Sequence, residues 1–335
     1  MQKIKTAIIG CGRVSRFHAV AYQKISGVQL RSGVDVAQER RDWFSKTFSV
    51  KIYSSLEELL DEDKPDLISL CTPSYLHFSQ AKKIIEAGVN LIIEKPVSLT
   101  KGQGEVLLAV EKRSRVVIST CFQNRFNPAV QLLTKYVRSG KMGKILIGNV
   151  CVRWFRTPDY FINHWHGLKK QSGGGALMTQ SIHQIDLLRV LMGTPSEING
   201  FTLNLRSYSD VEDVVVACMK YPLAVSSIEC STVAYPKDVE ASITIIGENG
   251  TIKIGGKSLN KVEYGFVGKK EIKTVPDSED PTTVYGTSHI LLVKNVVNAI
   301  IHKSVPAVSL LDGVESLNLV NQIYTSLSKC SPDFN

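Results

Sequence analysis

The chain has 335 residues, which favours two domains over one, and its 43% hydrophobic and 21% charged residues exclude a disordered or low-complexity protein. Forty Lys and Arg against 31 Asp and Glu give a net charge of +9. The basic residues are scattered and form no stripe with interleaved aromatic residues, so we predict no nucleic-acid partner. The excess of positive charge either fits a phosphorylated small molecule as substrate or has no functional meaning.

Apolar segments and cysteines indicate the compartment. No stretch reaches the roughly 18 apolar residues of a membrane span, and the N-terminal segment has no small-residue cleavage site of a signal peptide. We therefore predict a soluble, cytoplasmic protein with no membrane partner. The seven cysteines lie far apart without the spacing of a zinc site, so we expect reduced thiols, no disulfide framework and no metal.

The first 120 residues alternate between predicted strands and predicted helices. The strands are Lys5–Ile9, Val28–Val34, Asp66–Cys71, Asn90–Ile93 and Val116–Thr120, and the helices are Arg13–Ile25, Gln38–Phe48, Leu56–Leu60, Tyr75–Ala87 and Leu99–Arg113. Strands separated by helices of this length imply right-handed crossovers and parallel pairing. Residues 1–122 are therefore predicted to form a doubly wound α/β domain of the kind that binds nucleotides.

After residue 122 the pattern changes from alternation to runs of like elements. Helices are predicted at Ala129–Ser139, Gly175–Met192, Ser288–His302 and Leu310–Leu327, and strands at Ser196–Leu205, Asp213–Lys220, Ala224–Ser231, Ala241–Ile246 and Thr251–Ile254. Consecutive short strands joined by turn signals favour an antiparallel sheet. Residues 123–335 are therefore predicted to form an α+β domain whose strands build one large, mostly antiparallel sheet.

A glycine-rich turn joins the first strand to the first helix. Gly10 and Gly12 permit a tight turn and let a pyrophosphate approach the helix N-terminus, next to Arg13 and Val14. Asp35 ends the second strand, where a carboxylate accepts hydrogen bonds from ribose hydroxyls and repels a 2′-phosphate. NAD is therefore the predicted cofactor. A purely backbone role for the glycines and a helix-capping role for Asp35 remain as alternatives.

Two further turns follow strands of the same predicted sheet. Thr72-Pro73 and His77 come after the third main strand and either contact the cofactor or form a plain strand–turn–helix junction. Glu94-Lys95-Pro96 ends the next strand. A lysine beside a nicotinamide can bond to a substrate oxygen and transfer its proton. A solvent-facing lysine is the alternative for Lys95.

The densest polar cluster follows the three glycines at 173–175. In a continuous helix from Gly175, the residues Thr179, His183 and Asp186 fall on one face, which we expect to line a crevice. Histidine is the side chain best suited to move a proton near neutral pH. The alternative for His183 is a structural histidine that is hydrogen-bonded to Asp186.

These motifs occur together in one known family. They are the glycine turn followed by His18, Cys71-Thr72-Pro73 followed by His77, Glu94-Lys95-Pro96, and the three glycines followed by His183 and Asp186. In this order they resemble the glucose–fructose oxidoreductase / inositol dehydrogenase (Gfo/Idh/MocA) family over essentially the whole chain. The resemblance implies a Rossmann domain followed by an α/β domain whose open sheet forms the contacts of a homodimer or homotetramer. It also implies cofactor contacts by Glu94, Lys95 and Gln123, and His183 as general acid/base.

Further segments are similar to the branch of this family that oxidises UDP-N-acetylglucosaminuronic acid at C3 for surface-polysaccharide assembly. They are residues 123–128 (QNRFNP), 165–167 (WHG), 211–216 (VEDVVV) and 232–236 (TVAYP). The likeness implies substrate contacts by Lys95, Asn124, Arg125, Asn127, Trp165, Thr179, Gln180 and His183. For Arg125, a structural salt bridge between the domains is the alternative.

Two positions depart from the family pattern. Many members carry Asp four residues before the catalytic histidine, where this chain has Thr179. Because a hydroxyl is no base near neutral pH, Lys95 and His183 would have to carry the proton transfer. Trp165-His166-Gly167 stands where relatives tend to have Trp-Arg-Gly.

Taken over the whole chain, the resemblance implies an NAD-dependent dehydrogenase of a nucleotide sugar. A free-sugar or inositol dehydrogenase and a dinucleotide-sensing regulator are the alternatives.

Overall fold

The computed structural model describes residues 3–273 and 286–328. The chain divides into two compact units, one of Met1–Gln123 with His289–Glu315 and the other of Asn124–Ser288 with Ser316–Asn335. The division expected from the sequence differs, because it assigned residues 289–315 to the second domain. The six cysteines within the described ranges form no disulfide, and Cys330 lies outside these ranges. No helix of the described parts is long and apolar enough to span a bilayer.

Six parallel strands form the sheet of the first unit, in the order β3-β2-β1-β4-β5-β6. The strands are β1 (Ile4–Ile9), β2 (Val28–Val34), β3 (Lys51–Tyr53), β4 (Leu67–Leu70), β5 (Asn90–Ile93) and β6 (Ile118–Thr120). The connecting helices are α1 (Ser15–Lys24), α2 (Gln38–Phe48), α3 (Leu56–Glu62), α4 (Ser74–Glu86) and α5 (Lys101–Arg113). The strand order reverses beside β1, where doubly wound sheets bind their ligands. The predicted fold class is confirmed.

The last part of the first unit comes from far along the chain. Helix α9 (His289–His302) packs on α1, and the rings of Phe17 and His289 stack with their centroids 5.3 Å apart. Beyond α9, the Ser119 hydroxyl of β6 donates a hydrogen bond to the Val308 carbonyl at 2.7 Å. Helical periodicity does not show which sheet a helix will cover, so the sequence pattern could not reveal this return.

Eight strands form the sheet of the second unit, in the order β14-β13-β12-β11-β7-β10-β9-β8. The strands are β7 (Ile145–Arg153), β8 (Glu197–Leu203), β9 (Val214–Lys220), β10 (Val225–Ser231), β11 (Glu240–Gly247), β12 (Gly250–Gly255), β13 (Lys261–Val267) and β14 (Lys270–Glu271). Only the pair of β7 and β10 is parallel among these neighbours, so the predicted mostly antiparallel sheet is confirmed. Strand β7 lies in a segment where no strand was predicted.

The helices of the second unit include an irregular one at the predicted polar cluster. The regular helices are α6 (Pro128–Arg138), α7 (Lys169–Ser172), α8 (Ile182–Met192) and most of α10 (Leu310–Ser328). The predicted single helix Gly175–Met192 is wrong, because a π-helix (Ala176–Gln180) precedes α8 and the two meet at Ser181. Both the backbone N–H and the hydroxyl of Ser181 donate to the Ala176 carbonyl, at 3.1 and 2.8 Å. This five-residue spacing widens the turn.

Candidate active site

The glycine turn after β1 has the geometry that a pyrophosphate requires. Gly10 has φ +88°, and a Cβ there would lie 2.7 Å from the backbone of Cys71 and Thr72, so only glycine fits. A Cβ on Gly12 would meet nothing within 4 Å, which leaves open space in front of the turn. Helix α1 begins at Ser15, and Val14 before it gives no side-chain cap. Arg13 beside the turn is exposed. The residues present therefore fit a dinucleotide.

Asp35 stands at the end of β2 and is bonded to the glycine turn. Its carboxylate accepts hydrogen bonds from the backbone N–H groups of Cys11 and Ala37, both at 2.9 Å. The carboxylate thus joins β2 to the turn at the position where a ribose binds in this fold. The guanidinium of Arg40, five residues further along the chain, lies 3.8 Å from the same carboxylate.

His77 links the turn after β4 to the turn after β5. Its Nδ1 lies 2.7 Å from the Pro96 carbonyl oxygen and its Nε2 lies 2.8 Å from the Thr72 carbonyl oxygen. Burial lowers the pKa of His77, so the imidazole is neutral and donates to one carbonyl at a time. Pro73, in the turn after β4, precedes α4 and gives this helix no side-chain cap. His77 therefore holds backbone in place, while its predicted contact with the cofactor stays a prediction.

Glu94 is buried and hydrogen-bonded beneath the half-buried Lys95. Its carboxylate lies 3.0 Å from Nε2 of His18, and it also accepts from the backbone N–H of Lys95 at 3.3 Å. The other ring nitrogen of His18 bonds to Ser69 at 2.9 Å. Burial opposes ionisation, but the hydrogen bond from His18 and the neighbouring imidazoles hold the pKa of Glu94 well below its usual value. The turn that presents Lys95 thus rests on a fixed carboxylate.

Glu94 and three buried side chains around it have potential metal-ligand atoms within 4.8 Å of one another; the three are His18, Cys121 and His289. No metal site was predicted from the sequence. Burial and the neighbouring His18 lower the pKa of His289 to about 3, so this ring is neutral. Burial and Glu94 raise the pKa of the Cys121 thiol well above its ordinary value, so the thiol keeps its proton. We interpret the group as a cluster of buried side chains that supports Glu94. The sequence analysis missed His289 as a member, whose ring packs against those of Phe17 and His18.

The π-helix holds its polar side chains in a connected chain of hydrogen bonds. The Thr179 hydroxyl donates to the Gly175 carbonyl at 2.8 Å and accepts from the Gln180 side-chain amide at 3.0 Å. The same amide donates to the Tyr160 hydroxyl at 2.8 Å, and the Arg156 guanidinium donates to Oε1 of Gln180 at 2.9 Å. Sequence analysis missed Tyr160 and Arg156, since no motif or spacing connects them to Gln180.

Asp186 does not share an open face with Thr179 and His183, so this expectation is wrong. The bend at Ser181 changes the register, and Asp186 is fully buried. Its carboxylate accepts a bidentate pair from Arg125, with Nε at 2.7 Å and Nη2 at 2.5 Å, and a third bond from Ser316 at 2.7 Å. Arg125 is thus held in a salt bridge, which lies within the second unit and not between the two predicted domains.

The remaining predicted substrate residues of the second unit differ in their surroundings. Oδ1 of the buried Asn124 has no hydrogen-bond partner among the described residues, whereas Asn127 is bonded to Ser258 and Ser288. Trp165 is half-buried, and its ring stacks on His166 with centroids 3.8 Å apart. His183 is half-buried in the first turn of α8. In the first unit, Gln123 is buried near Cys121, with its Oε1 3.8 Å from the thiol.

Models of known protein families match both parts of the chain. Residues 4–122 match an oxidoreductase family with an NAD-binding Rossmann fold. Residues 130–253 match the GFO/IDH/MocA C-terminal domain.

Individual relatives resemble the chain over nearly its whole length. The WlbA dehydrogenase from Bordetella pertussis, solved with NADH and UDP-GlcNAcA, is 29% identical, covers 98% of this chain and of its own, and has a TM-score of 0.88. The WlbA dehydrogenase from Chromobacterium violaceum, solved with the same two molecules, is 27% identical, covers 100% of this chain and 98% of its own, and has a TM-score of 0.89. The scyllo-inositol 2-dehydrogenase (NAD(+)) of Bacillus subtilis is 24% identical and covers 95% of this chain and 92% of its own.

Proposed function

Because the chain belongs to the Gfo/Idh/MocA family of NAD-binding oxidoreductases, we propose that it oxidises a hydroxyl of a nucleotide-linked sugar to a ketone. The specific substrate that we propose is UDP-N-acetylglucosaminuronic acid, oxidised at C3 in the assembly of a surface-polysaccharide sugar. The likeness to two WlbA dehydrogenases that hold UDP-GlcNAcA, over 98% or more of this chain, is the observation that supports it most.

The first unit supplies the features that NAD needs. The open space in front of Gly12 suits the pyrophosphate, and the buried Asp35 offers its carboxylate to the adenosine ribose. When bound, NAD supplies the acceptor for a hydride. Glu94 stays ionised through its bond to His18 and fixes the turn from which Lys95 extends.

The proposed oxidation breaks a C–H bond and an O–H bond of one carbinol group and forms a C=O bond. The hydride leaves the carbon and the proton leaves the oxygen. We assign the proton to His183 as general base. We assign to Lys95 a hydrogen bond to the same oxygen, where its positive charge stabilises the alkoxide that develops in the transition state. Thr179 cannot replace either group, because a hydroxyl does not ionise near neutral pH.

A substrate screen that follows NADH formation tests this function. UDP-N-acetylglucosaminuronic acid, UDP-N-acetylglucosamine, scyllo-inositol and free N-acetylglucosamine are compared at equal concentration. We expect the uronate to give the highest kcat/KM, by at least about tenfold, because only it combines the pyrophosphate with the carboxylate. The likeness to scyllo-inositol 2-dehydrogenase makes an inositol or free-sugar dehydrogenase the second candidate, and a preference for scyllo-inositol would establish it. Tight NADH binding without turnover of any sugar would instead favour a sensing protein.

A further inference from the structure

Two residues outside the predicted site bind the start of the π-helix. The Glu212 carboxylate accepts from the backbone N–H of Gly175 at 2.8 Å and from that of Leu177 at 2.9 Å. The backbone carbonyl of Glu212 accepts from the N–H of Ala176 at 2.9 Å. The Tyr324 hydroxyl accepts from the next N–H, that of Met178, at 3.2 Å. Four successive N–H groups, which a helix start leaves without internal partners, are thereby satisfied.

Glu212 and Tyr324 are also bonded to each other. The Tyr324 hydroxyl donates to Oε1 of Glu212 at 2.7 Å, so one carboxylate receives three hydrogen bonds. Glu212 precedes β9, whereas Tyr324 lies in α10, more than a hundred residues later in the chain. The two elements meet at the π-helix start, and neither residue carries a side chain that the proposed reaction uses.

The glycines before the π-helix leave the space for this contact. Gly174 has φ +152°, and a Cβ there would collide with the Tyr324 hydroxyl. A Cβ on Gly175 would collide with the Glu212 carbonyl. The three-glycine motif thus permits the close approach of Glu212 and Tyr324. Any larger residue would push these two groups away from the N–H groups that they bind.

We propose that Glu212 and Tyr324 are positioning residues, which fix the start of the π-helix and thereby set the orientation of Thr179, Gln180 and His183. The inference rests on the proposed function, in which His183 is the proton acceptor. Thr179 N–H bonds to the Gly175 carbonyl at 2.9 Å, so the first helical bond starts from a residue that Glu212 holds. The Ser181 N–H then bonds to the Ala176 carbonyl. The orientation of the π-helix therefore also determines that of the first turn of α8, where His183 lies.

The carboxylate must be ionised to act in this way. An ionised carboxylate only accepts hydrogen bonds, and all three groups that face it here are donors. An amide in its place would turn an N–H group toward one of these donors. Glu212→Gln therefore keeps the size of the side chain but loses part of the bonding, and Tyr324→Phe removes only the hydroxyl.

The experiment compares these two variants with two matched controls in the same unit. Asp213→Asn changes the neighbouring buried carboxylate, which bonds to Arg206 and Thr232 and not to the π-helix. Tyr221→Phe removes a hydroxyl that bonds to Ser226 on the sheet. For all four full-length proteins, amide hydrogen exchange at residues 175–178, the NMR titration of His183, the midpoint of thermal unfolding and kcat are measured.

We expect Glu212→Gln and Tyr324→Phe to speed amide exchange at 175–178 at least about tenfold and to shift the His183 resonance. Neither control should do so, even where it lowers the unfolding midpoint equally. For the best substrate, kcat should fall at least about tenfold in the two variants only. Unchanged exchange and an unchanged His183 resonance would overturn the proposal, as would equal losses in the controls. If Glu212→Gln does not fold, amide exchange and the His183 resonance of Tyr324→Phe alone decide whether the proposal holds. Exchange and NMR need no substrate, so they test the positioning role even if the proposed reaction is wrong.

Discussion

Thr179 differs from His183 in what its polar atoms are able to do. Its single hydroxyl proton is donated to the Gly175 carbonyl, and its oxygen accepts from Gln180. We therefore expect Thr179→Ala to lower kcat less than about tenfold, because that hydroxyl orients its neighbours and transfers no proton. Lys95→Met and His183→Ala should each lower kcat at least about 100-fold, in the range typical of a lost general acid or base.

Steady-state kinetics with NADH titrations as the control check this prediction. The dissociation constant of NADH should stay within about threefold of the unmodified protein in all three variants, because the glycine turn and Asp35 are unchanged. A loss in Thr179→Ala as large as that in His183→Ala would show that the roles are assigned wrongly. Near-full turnover in His183→Ala would leave the proton transfer to Lys95 alone.

We expect the choice between NAD and NADP to depend on Asp35 and on Arg40, which follows it in the chain. Because a carboxylate at this position would repel a 2′-phosphate, we expect tighter binding of NAD(H) than of NADP(H). Asp35→Ala should raise the affinity for NADPH at least about tenfold relative to NADH, because Arg40, 3.8 Å from the carboxylate, then becomes available to the phosphate. Adding Arg40→Ala should cancel most of that gain. Fluorescence titrations measure the affinities of the unmodified protein and of both variants for NADH and NADPH. A gain that survives the second substitution would exclude Arg40 from this role.

At the scale of elements, α9 brings a buried imidazole into the first unit, and its burial makes folding sensitive to acid. The pKa of His289 is about 3 in the folded protein, with burial as the main cause, and near its ordinary 6.5 in the unfolded chain. Between these pH values the unfolded chain binds more protons than the folded protein. The contribution of His289 to the free energy of unfolding is therefore fully present above pH 6.5 and is lost as the pH drops toward 3. One such group contributes about 1.4 kcal/mol per pH unit to this slope.

His289→Phe tests this dependence, because the larger ring keeps the stack on Phe17 and carries no titratable nitrogen. The free energy of unfolding is measured with urea between pH 4 and 6. Its slope against pH should be smaller in the variant than in the unmodified protein by about 1.4 kcal/mol per pH unit. His302→Gln, at the exposed end of the same helix, is the control and should leave the slope unchanged. An unchanged slope in His289→Phe would mean that other groups govern the acid sensitivity.

The helices and strands also show which parts of the structure the sequence patterns predict and which they do not. The bounds of β2 were predicted correctly because Gly27 precedes the strand, Val28 and Leu30 alternate with the polar Gln29 and Arg31, and Asp35 follows it. The bounds of α2, Gln38–Phe48, were also predicted correctly. Gly10, Glu94 and His183 were predicted as candidate site residues because each belongs to a short motif that is visible in the local sequence. Strand β7 was missed because its place is fixed by pairing with β10 and β11, far away in sequence. The break at Ser181 was missed for a related reason, since it depends on the bonds that Glu212 and Tyr324 make.

At the scale of the whole molecule, the outer face of the eight-stranded sheet differs between its two ends. Toward β13, alternating charges form a ladder, Glu229–Arg153–Glu240–Lys253–Glu263, with ion-pair distances of 2.6 to 3.1 Å. Toward β8, exposed apolar side chains take the place of the charges. Phe201 on β8 and Val216 on β9 are direct cross-strand partners, and 67% and 46% of their surfaces are exposed. The charged side chains toward β13 pair with one another. The apolar side chains toward β8 form an exposed patch of the kind that marks an interaction surface.

A second copy of the chain is the cover that we expect at the apolar end, which would make the protein a homo-oligomer through its open sheet. Leu203 and Val225, at 52% and 53% exposure, extend the patch along β8 and β10. Phe201→Lys with Val216→Lys would place like charges opposite each other in such an interface. We expect this double variant to be a monomer by light scattering, with its NADH affinity unchanged. Val305→Lys changes an 80% exposed valine of the first unit and should keep the native assembly. An unchanged mass in the double variant would exclude this face as the interface.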